Sequence, residues 1–279
     1  MKVLILGSSG FVGRGLTAAL RARGDDVLTG TLRDPHAAAA FAEACDVVVN
    51  LAGEPVAQRW TAGAKRRIEG SRVELPRHFI EYLSQRTRRP HAYVSASAIG
   101  YYGTSETATF VEESSPGDDF LARVCVAWER EAQRAQTLGL RVACVRTGIA
   151  LGTEGGALAK MLPVFRAGAG GPFGNGRQWF SWIHVSDLVG IYLMAIDGAE
   201  GPLNATAPNP VTNGEFARAL ATALHRPAVL PVPPFALRLL LGEGADALLR
   251  GQRVLPERTS ALGYRFSFAR LDEALADLL

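Results

Sequence analysis

Three glycines near the start of the sequence follow the spacing G-x-x-G-x-x-G. A chain that turns sharply and brings its backbone N–H groups close to a pyrophosphate needs glycine there, and the N-terminus of a following helix adds positive potential. An apolar run over residues 3–6 precedes the glycines and a helical pattern over residues 11–23 follows them. The segment therefore predicts a dinucleotide-binding turn, with a tight turn without ligand as the alternative. The residues expected to bind the cofactor here are Gly7, Ser9, Gly10, Phe11, Val12 and Gly13.

A basic residue follows the second apolar strand, where the ribose of a bound adenosine is expected. Leu32 and Arg33 stand at this strand end, about twenty residues after the glycines. An acid at this position favours NAD, whereas a guanidinium suits the 2′-phosphate of NADP. Asp34 is better explained as the residue that starts a turn or helix before Pro35. The sequence predicts NADP in preference to NAD, with a solvated surface arginine as the alternative.

The elements that position these residues alternate between short apolar runs and helical patterns. Strands are predicted over residues 3–6, 27–32, 46–51, 92–97, 140–146 and 182–185. Helices are predicted over residues 11–23, 71–85, 119–138, 186–196 and 268–279, and another helix is predicted to start at a capping box of Thr212 and Glu215. This order predicts an α/β fold, a doubly wound, Rossmann-like parallel sheet with a smaller C-terminal α/β substrate domain. We expect residues 1–165 and 182–204 to form the first domain, and 166–181 and 205–279 the second.

Composition excludes several classes of protein. The chain has 279 residues, 30 Lys+Arg against 27 Asp+Glu and 48% hydrophobic residues, an ordinary globular mixture. No run of about 18 apolar residues occurs, so a membrane-spanning helix is not expected. The apolar start without a charged leader argues against a signal peptide. Dispersed basic residues argue against nucleic-acid binding. The expected partner is a small-molecule substrate; an oligomer is possible.

The three cysteines are widely spaced and form no C-x-x-C pair. This argues against a disulfide framework and against a zinc site, so we expect no bound metal. Free cysteines and the missing leader together predict a cytoplasmic protein.

Further motifs carry a resemblance to a known family. They lie at residues 50–55 (Asn-Leu-Ala-Gly-Glu-Pro), 70–72 (Gly-Ser-Arg), 95–103 (Ser-Ala-Ser-Ala-Ile-Gly-Tyr-Tyr-Gly), 115–120, 146–148 (Arg-Thr-Gly), 170–172, 182–188 and 203–204. With them the chain resembles an extended short-chain dehydrogenase/reductase. More closely it resembles the epimerase-like subgroup labelled NAD-dependent epimerase/dehydratase family proteins, which have a small C-terminal domain of undefined function. The resemblance spans nearly the whole chain.

The resemblance implies further site residues. It places Leu51, Ala52 and Gly53 along the path of the cofactor, and Arg72 within its reach. Thr147 and Gly148 would meet the nicotinamide at a strand end. Ser97 matches a serine that bonds a substrate oxygen, and Ser95 is a second serine at the same strand, which we expect to contact the cofactor.

The sequence departs from the superfamily at its catalytic pair, Tyr-x-x-x-Lys, in which the lysine lowers the pKa of the tyrosine. The chain has only three lysines, Lys2, Lys65 and Lys160, and none follows a tyrosine at this spacing. The helix that should carry the pair offers apolar residues instead.

Ser97 and one of the tandem tyrosines, Tyr101 or Tyr102, are the remaining catalytic candidates; without a neighbouring lysine, we expect a tyrosine pKa near 10. Aromatic packing is the alternative role for these rings. Two functions stay open. One is an NADP-dependent oxidoreductase or epimerase-like enzyme that acts on a small polar, sugar-like substrate. The other is an NADP(H)-binding sensor or scaffold without turnover.

Overall fold

The computed structural model of the chain describes residues 1–227 and 230–279. The strands are β1 (Lys2–Leu6), β2 (Asp26–Gly30), β3 (Val47–Asn50), β4 (Ala92–Ala98), β5 (Thr109–Phe110), β6 (Arg141–Thr147), β7 (Ile149–Leu151), β8 (Trp179–Phe180), β9 (Trp182–His184), β10 (Gly201–Ala205), β11 (Val211–Thr212) and β12 (Arg253–Val254). The helices are α1 (Phe11–Ala22), α2 (Pro35–Ala42), α3 (Ala62–Arg72), α4 (Glu74–Ser84), α5 (Phe120–Gln133), α6 (Gly156–Arg166), α7 (Val185–Asp197), α8 (Asn213–Ala223), α9 (Pro234–Leu241), α10 (Asp246–Leu249), α11 (Glu257–Ala261) and α12 (Leu271–Leu278).

Six parallel strands form the central sheet in the order β10-β6-β4-β3-β1-β2. Strand β1 lies between β2 and β3, so the chain winds outward from β1 in both directions. Ligands of such sheets bind outside the carboxyl ends of the strands, where the strand order reverses. The turn after β1 and the loop after β3 meet at this point, since Leu6 and Asn50 end the two strands in register. The predicted doubly wound parallel sheet is confirmed.

Two apolar cores cover the two faces of this sheet. Successive side chains of a strand point to opposite faces, so β1 contributes to both cores. The first core, against α1 and α7, includes Val3, Ile5, Leu16, Leu20, Ile191 and Tyr192. The second core, against α2 and α4, includes Leu4, Leu6, Ala39, Phe79 and Ile80. Strand β3 is buried on both faces along its whole length, which explains its run of three valines, Val47–Val49.

A third core holds the smaller C-terminal part together. It includes Leu158, Leu162, Phe180, Trp182, Phe216, Leu220 and Leu275, from α6, β8, β9, α8 and α12. The expected boundary at residue 165 assigns α6 to the nucleotide-binding part, yet the apolar side chains of this helix pack in the third core. We therefore propose that the smaller part begins near Gly156.

Local signals explain where several helices begin and end. The capping box that starts α8 is present: Glu215 N–H donates to Thr212 Oγ1 at 3.2 Å, and Thr212 N–H donates to Glu215 Oε2 at 2.7 Å. The single helix expected over residues 71–85 is wrong, because α3 ends at Arg72 and α4 starts at Glu74. The helix expected over residues 119–138 ends at Gln133 and continues as a 3₁₀ turn to Leu138, after which Gly139 has a φ of 81°.

No helix in residues 1–227 and 230–279 is long and apolar enough to cross a membrane. Nor does this part of the chain bring together three or more His, Cys, Asp or Glu side chains as a metal site would require.

Candidate functional site

The glycine turn joins β1 to α1 at the point where the strand order reverses. Gly7 has a φ of +90°, and a Cβ there would lie 2.9 Å from the backbone nitrogen of Ala52. A Cβ at Gly13 would lie 2.4 Å from the carbonyl oxygen of Gly7. Any side chain at either position would clash, so these two glycines are required by the turn itself. The turn after β1 therefore lies against Leu51 and Ala52 in the loop after β3, and these two groups of expected cofactor-binding residues are in contact.

Gly10 is a glycine for a different reason. It is the N-cap of α1 with an ordinary extended conformation, φ −70° and ψ 170°, and a Cβ there would meet only the carbonyl oxygen of Gly7, at 3.3 Å. A side chain there would require this backbone to shift by a few tenths of an ångström, and its absence leaves the first N–H groups of α1 open to a ligand. This cradle fits a pyrophosphate, because the end of a helix that lacks side chains both donates hydrogen bonds and carries positive potential.

Phe11 contributes its backbone to the turn and its ring to packing. A Cβ at Gly152 would lie 2.4 Å from Phe11 Cζ, and a Cβ at Gly155 would lie 2.7 Å from Phe11 Cδ2. The ring therefore fills the space left by glycines after β7 and holds that segment against the turn. Val12 packs against the first core. Any cofactor contact of these two residues comes through the main chain.

The strand expected over residues 27–32 ends at Gly30, so Arg33 lies in the turn between β2 and α2. Arg33 is exposed, and no side-chain hydrogen bond ties it to the described residues. Leu32 is buried in the second core, so only its backbone is available to a ligand. Asp34 accepts a hydrogen bond from the Ala37 N–H at 3.0 Å and caps α2, which confirms the expected role of the acid.

Arg72 lies over the backbone of the β3 loop. A Cβ at Gly53 would lie 3.0 Å from Arg72 Cζ, so the guanidinium covers the bare face of this glycine. The guanidinium carbon lies 5.0 Å from the ring centroid of Trp128, and Nη1 donates to the carbonyl oxygen of Glu54 at 2.9 Å. Burial lowers the pKa of Arg72 from its usual value. No carboxylate in the described residues forms an ion pair with it, so the group can serve an anionic or hydroxyl-rich ligand.

Three other residues expected to contact the cofactor lie in β4 and at the end of β6, and one of them, Ser95, is buried. Ser95 is fully buried, and its hydroxyl donates to the carbonyl oxygen of Ala96 at 2.9 Å. A Cβ at Gly148 would lie 2.6 Å from the carbonyl oxygen of Ser181, so the end of β6 must pass this backbone closely. Thr147 is half-buried next to it. A direct cofactor contact of Ser95 would have to come from its main chain.

Ser97 and Tyr102 belong to a buried polar network. Ser97 Oγ donates to Glu129 Oε1 at 2.6 Å. Arg146 binds both oxygens of the same carboxylate, with Nε to Oε1 and Nη2 to Oε2 both at 2.8 Å. Arg146 Nη1 also donates to Tyr102 Oη at 2.9 Å, and this hydroxyl donates to Asn204 Oδ1 at 2.7 Å. The protons of both candidate hydroxyls are therefore directed toward protein acceptors.

Burial and charge set the titration of this network. Burial raises the pKa of Tyr102 to about 12, although Arg146 and Asn204 act in the opposite direction. The expected value near 10 is therefore wrong for Tyr102. Burial alone would lower the pKa of Arg146, but the hydrogen bonds and charge of Glu129 outweigh it and raise this pKa overall.

Tyr101 is placed differently from its neighbour. The Arg146 guanidinium carbon lies 3.5 Å from the centroid of the Tyr101 ring. Tyr101 is half-buried, and its hydroxyl has no hydrogen-bond partner in the described part of the chain. Of the three predicted catalytic residues, Tyr101 is thus the one whose proton is uncommitted.

The face of α5 toward β4 holds apolar side chains at the spacing of the missing catalytic pair. A Cβ at Gly100 would lie 3.3 Å from Leu121 Cβ and 3.8 Å from Cys125 Sγ. Leu121 and Cys125 are four residues apart, and burial raises the pKa of the Cys125 thiol to about 12. This face therefore offers no ready proton donor.

Sequence reasoning missed the two acids that organise this region. Glu129 lies in the apolar run of α5, and Glu112 follows β5. Glu112 is buried, and its carboxylate accepts hydrogen bonds from the N–H groups of Asn204 at 3.0 Å, Arg258 at 3.1 Å and Thr259 at 3.1 Å. For Glu129 the available signal was an acid directly after the mostly apolar run of α5, whereas Glu112 stands in the polar segment Glu112–Ser115, which gave no such signal.

A family model described as "NAD dependent epimerase/dehydratase family" matches residues 3–205. The chain belongs to the NAD-dependent epimerase/dehydratase family. A second model, "Domain of unknown function (DUF1731)", matches residues 232–278 of this epimerase-family protein. The predicted family is thereby confirmed, including its small C-terminal domain.

Relatives of this epimerase-family protein match it over its whole length. The chloroplastic "Epimerase family protein SDR39U1 homolog" of Arabidopsis thaliana is 42% identical over 302 residues, which cover 100% of this chain and 87% of that protein. The human "Epimerase family protein SDR39U1" is 39% identical over 293 residues, which cover 100% of both proteins.

Solved structures agree with this assignment. Human SDR39U1, crystallised with NADPH, superposes with a TM-score of 0.92 at 37% identity and covers 100% of this chain and 99% of its own. A nucleoside-diphosphate sugar epimerase of Corynebacterium glutamicum has a TM-score of 0.81 at 34% identity, over 100% of this chain and 58% of its own. The predicted preference for NADP agrees with the NADPH in the human structure.

Proposed function

We propose that this epimerase-family protein binds NADP(H) and acts as an oxidoreductase or epimerase-like enzyme on a small polar substrate such as a sugar. The glycine turn carries the proposal. Close backbone contacts at Gly7 and Gly13 exclude a Cβ, and Gly10, whose Cβ would meet only the Gly7 carbonyl oxygen at 3.3 Å, leaves the N-terminus of α1 bare. A helix N-terminus without side chains has room for a ligand such as a pyrophosphate.

The residues around the turn suit the other parts of the cofactor. The N-terminus of α1 would hold the pyrophosphate, Arg33 the 2′-phosphate, and the segment from Leu51 to Gly53 with Arg72 the path toward the nicotinamide. Bound NADPH would supply the hydride. The sugar-like substrate class is supported by the name of the Corynebacterium glutamicum protein and by the polar groups near Ser97.

Proton transfer in this proposal does not use a lysine. Ser97 keeps lone pairs that can accept a hydrogen bond from a substrate hydroxyl, because its own proton goes to Glu129. Tyr101 is the candidate acid, since its hydroxyl is uncommitted while that of Tyr102 donates to Asn204. Arg146 fixes both tyrosines by contacting the Tyr101 ring and the Tyr102 hydroxyl.

The test begins with the cofactor. The purified protein is denatured and the released nucleotide identified, and NADPH and NADH are then titrated calorimetrically. Carbonyl compounds and nucleotide sugars are screened for NADPH oxidation, and hits are repeated with Tyr101→Phe and Lys160→Ala. We expect NADPH binding and a hit whose turnover falls about 10²–10⁴-fold in Tyr101→Phe but not in Lys160→Ala. The absence of NADPH binding would refute the proposal.

A specific observation supports a second candidate, an NADP(H)-binding sensor or scaffold. Leu121 and Cys125 replace the proton relay, and the hydroxyls of Ser97 and Tyr102 point into the network. NADPH binding without turnover of any carbonyl or sugar would establish this candidate. For either function we also propose a cytoplasmic location, although the Arabidopsis thaliana relative is named chloroplastic.

A further inference from the structure

A shallow cavity of about 350 Å³ lies beside the glycine turn, on the α1 side of the edge strand β2. Two guanidiniums and four hydroxyls line it, and no carboxylate does. The polar residues of its wall are Ser8, Ser9, Arg14, Thr17, Arg21 and Thr29. A wall with two positive charges, no negative charge and many hydroxyl donors is the chemistry of a phosphate site.

Arg14 is the charged group closest to the turn. Its Nη1 donates to the carbonyl oxygen of Ser9 at 3.0 Å, and its Nη2 donates to the carbonyl oxygen of Glu154 at 3.1 Å. These bonds hold the guanidinium beside the residues between the first and second glycines and leave its other N–H groups free for a ligand. Neither the Ser8 nor the Ser9 hydroxyl has a partner among the described residues. Charge and hydroxyls therefore converge on one side of the turn.

Arg21 lies seven residues further along the same helix. Two helical turns, a rise of about 10 Å, separate its backbone from that of Arg14, and both side chains line the same cavity. Arg21 adds positive potential to the cavity, while Arg14 is placed for contact with a group that lies on Ser8 and Ser9.

We propose that Arg14 is a second specificity-determining residue for the cofactor, which binds the 2′-phosphate of NADP(H) together with Arg33. The inference rests on the proposed NADP(H) binding and deepens it. A pyrophosphate at the N-terminus of α1 places the adenosine ribose between the turn and the end of β2. A phosphate on the 2′-oxygen would then have Ser8, Ser9 and Arg14, which line the cavity, on the turn side, and the exposed Arg33, which lies outside the cavity wall, on the strand side. NAD has no group to occupy this position.

The experiment compares NADPH and NADH affinity in the parent, Arg14→Gln, Arg33→Ala and the double variant. Glutamine can still donate to a backbone carbonyl, so Arg14→Gln removes the charge with little effect on the anchoring of the turn. Arg88→Gln is the control, because this exposed arginine precedes β4 at the opposite, amino edge of the sheet. Competition by 2′-AMP and 5′-AMP reports the phosphate position directly.

We expect NADPH affinity to fall about tenfold or more in Arg14→Gln, with NADH affinity within about twofold of the parent. Competition by 2′-AMP should weaken in the same variant, and the double variant should bind NADPH and NADH about equally. Equal losses for NADPH and NADH in Arg14→Gln would show that Arg14 only anchors the turn, and would overturn the inference. Unchanged NADPH affinity would overturn it as well. A parent that binds no NADPH would instead refute the proposed function.

Discussion

Ser97 and Glu129 are joined by a hydrogen bond of 2.6 Å in which the serine hydroxyl donates to a buried carboxylate. The carboxylate is already balanced by the guanidinium of Arg146, which binds both of its oxygens. The serine is therefore held in one orientation at the end of β4, with its lone pairs left to accept. This single contact connects the sheet edge, where a substrate is expected, to the long helix α5.

Ser97→Ala should separate the two roles of this hydroxyl. Removal of one hydrogen bond to a buried carboxylate that keeps its arginine should lower the free energy of unfolding by about 1.5–3 kcal/mol. If the proposed chemistry is right, turnover of a screened substrate should fall far more, about 10²–10⁴-fold. Urea denaturation and a steady-state assay measure the two effects. Ser97→Thr keeps a hydroxyl and should retain most of the activity; an active Ser97→Ala would contradict the assignment.

Glu129→Ala should be among the most destabilising substitutions near the site. It leaves the Arg146 guanidinium buried without its carboxylate, which typically costs about 3–5 kcal/mol. The double variant Glu129→Ala/Arg146→Met removes the unpaired charge and should recover part of the loss. The exposed pair of Arg270 and Asp272 is the control, since Asp272→Ala should change stability little. The measurement is urea denaturation, and a double variant no more stable than Glu129→Ala would count against a balanced buried pair.

The parts of the fold that depend on residues close together in the sequence could be predicted from it. The turn before α1, the cap of α2 by Asp34 and the capping box of Thr212 and Glu215 are all as expected, because each depends on residues within a few positions. Strand β3 was recognisable for the same reason, since a continuous β-branched run indicates burial on both faces.

The network around Arg146 could not be predicted in this way. The residues in this network lie 17 to 58 positions from Arg146 in the sequence. Arg146 donates to Glu129 and to Tyr102, and Tyr102 donates to Asn204 on β10, the strand next to β6. Only the folded sheet brings β4, β6 and β10 side by side. The break at Val73, which divides the expected helix over residues 71–85, has a local signal: Pro76 has no N–H to donate to the Arg72 carbonyl oxygen four residues earlier, and it stands in the first turn of α4, where proline is tolerated.

Alkaline pH should destabilise the protein partly through Tyr102. Unfolded tyrosine ionises near pH 10, whereas burial keeps Tyr102 protonated until about pH 12. The folded state therefore binds more protons between these values, so the free energy of unfolding falls as pH rises from 10 to 12. Tyr102→Phe should show a shallower fall over this range. The slope should not vanish, because burial also raises the pKa of Tyr93, Tyr192 and Tyr264.

The comparison is made by urea denaturation at closely spaced pH values. Equal slopes for Tyr102→Phe and the parent would contradict the burial of an ionisable hydroxyl at this position. The raised pKa of Tyr102 also bears on activity. If the turnover rate rises with pH well below pH 12, the group that titrates must be one other than Tyr102.

Gly10→Val should abolish cofactor binding while the protein still folds. The backbone of Gly10 has a φ of −70°, which valine adopts readily. The lost function would come from the side chain itself, which would project from the N-cap of α1 into the space for the pyrophosphate. NADPH should raise the melting temperature of the parent. Gly10→Val should melt at a temperature near that of the parent, and NADPH should not raise it.

Gly13→Ala is the contrasting variant, because its Cβ would lie 2.4 Å from the Gly7 carbonyl oxygen and should destabilise the turn itself. A normal NADPH shift in Gly10→Val would mean that the bare cradle is not where the cofactor lies.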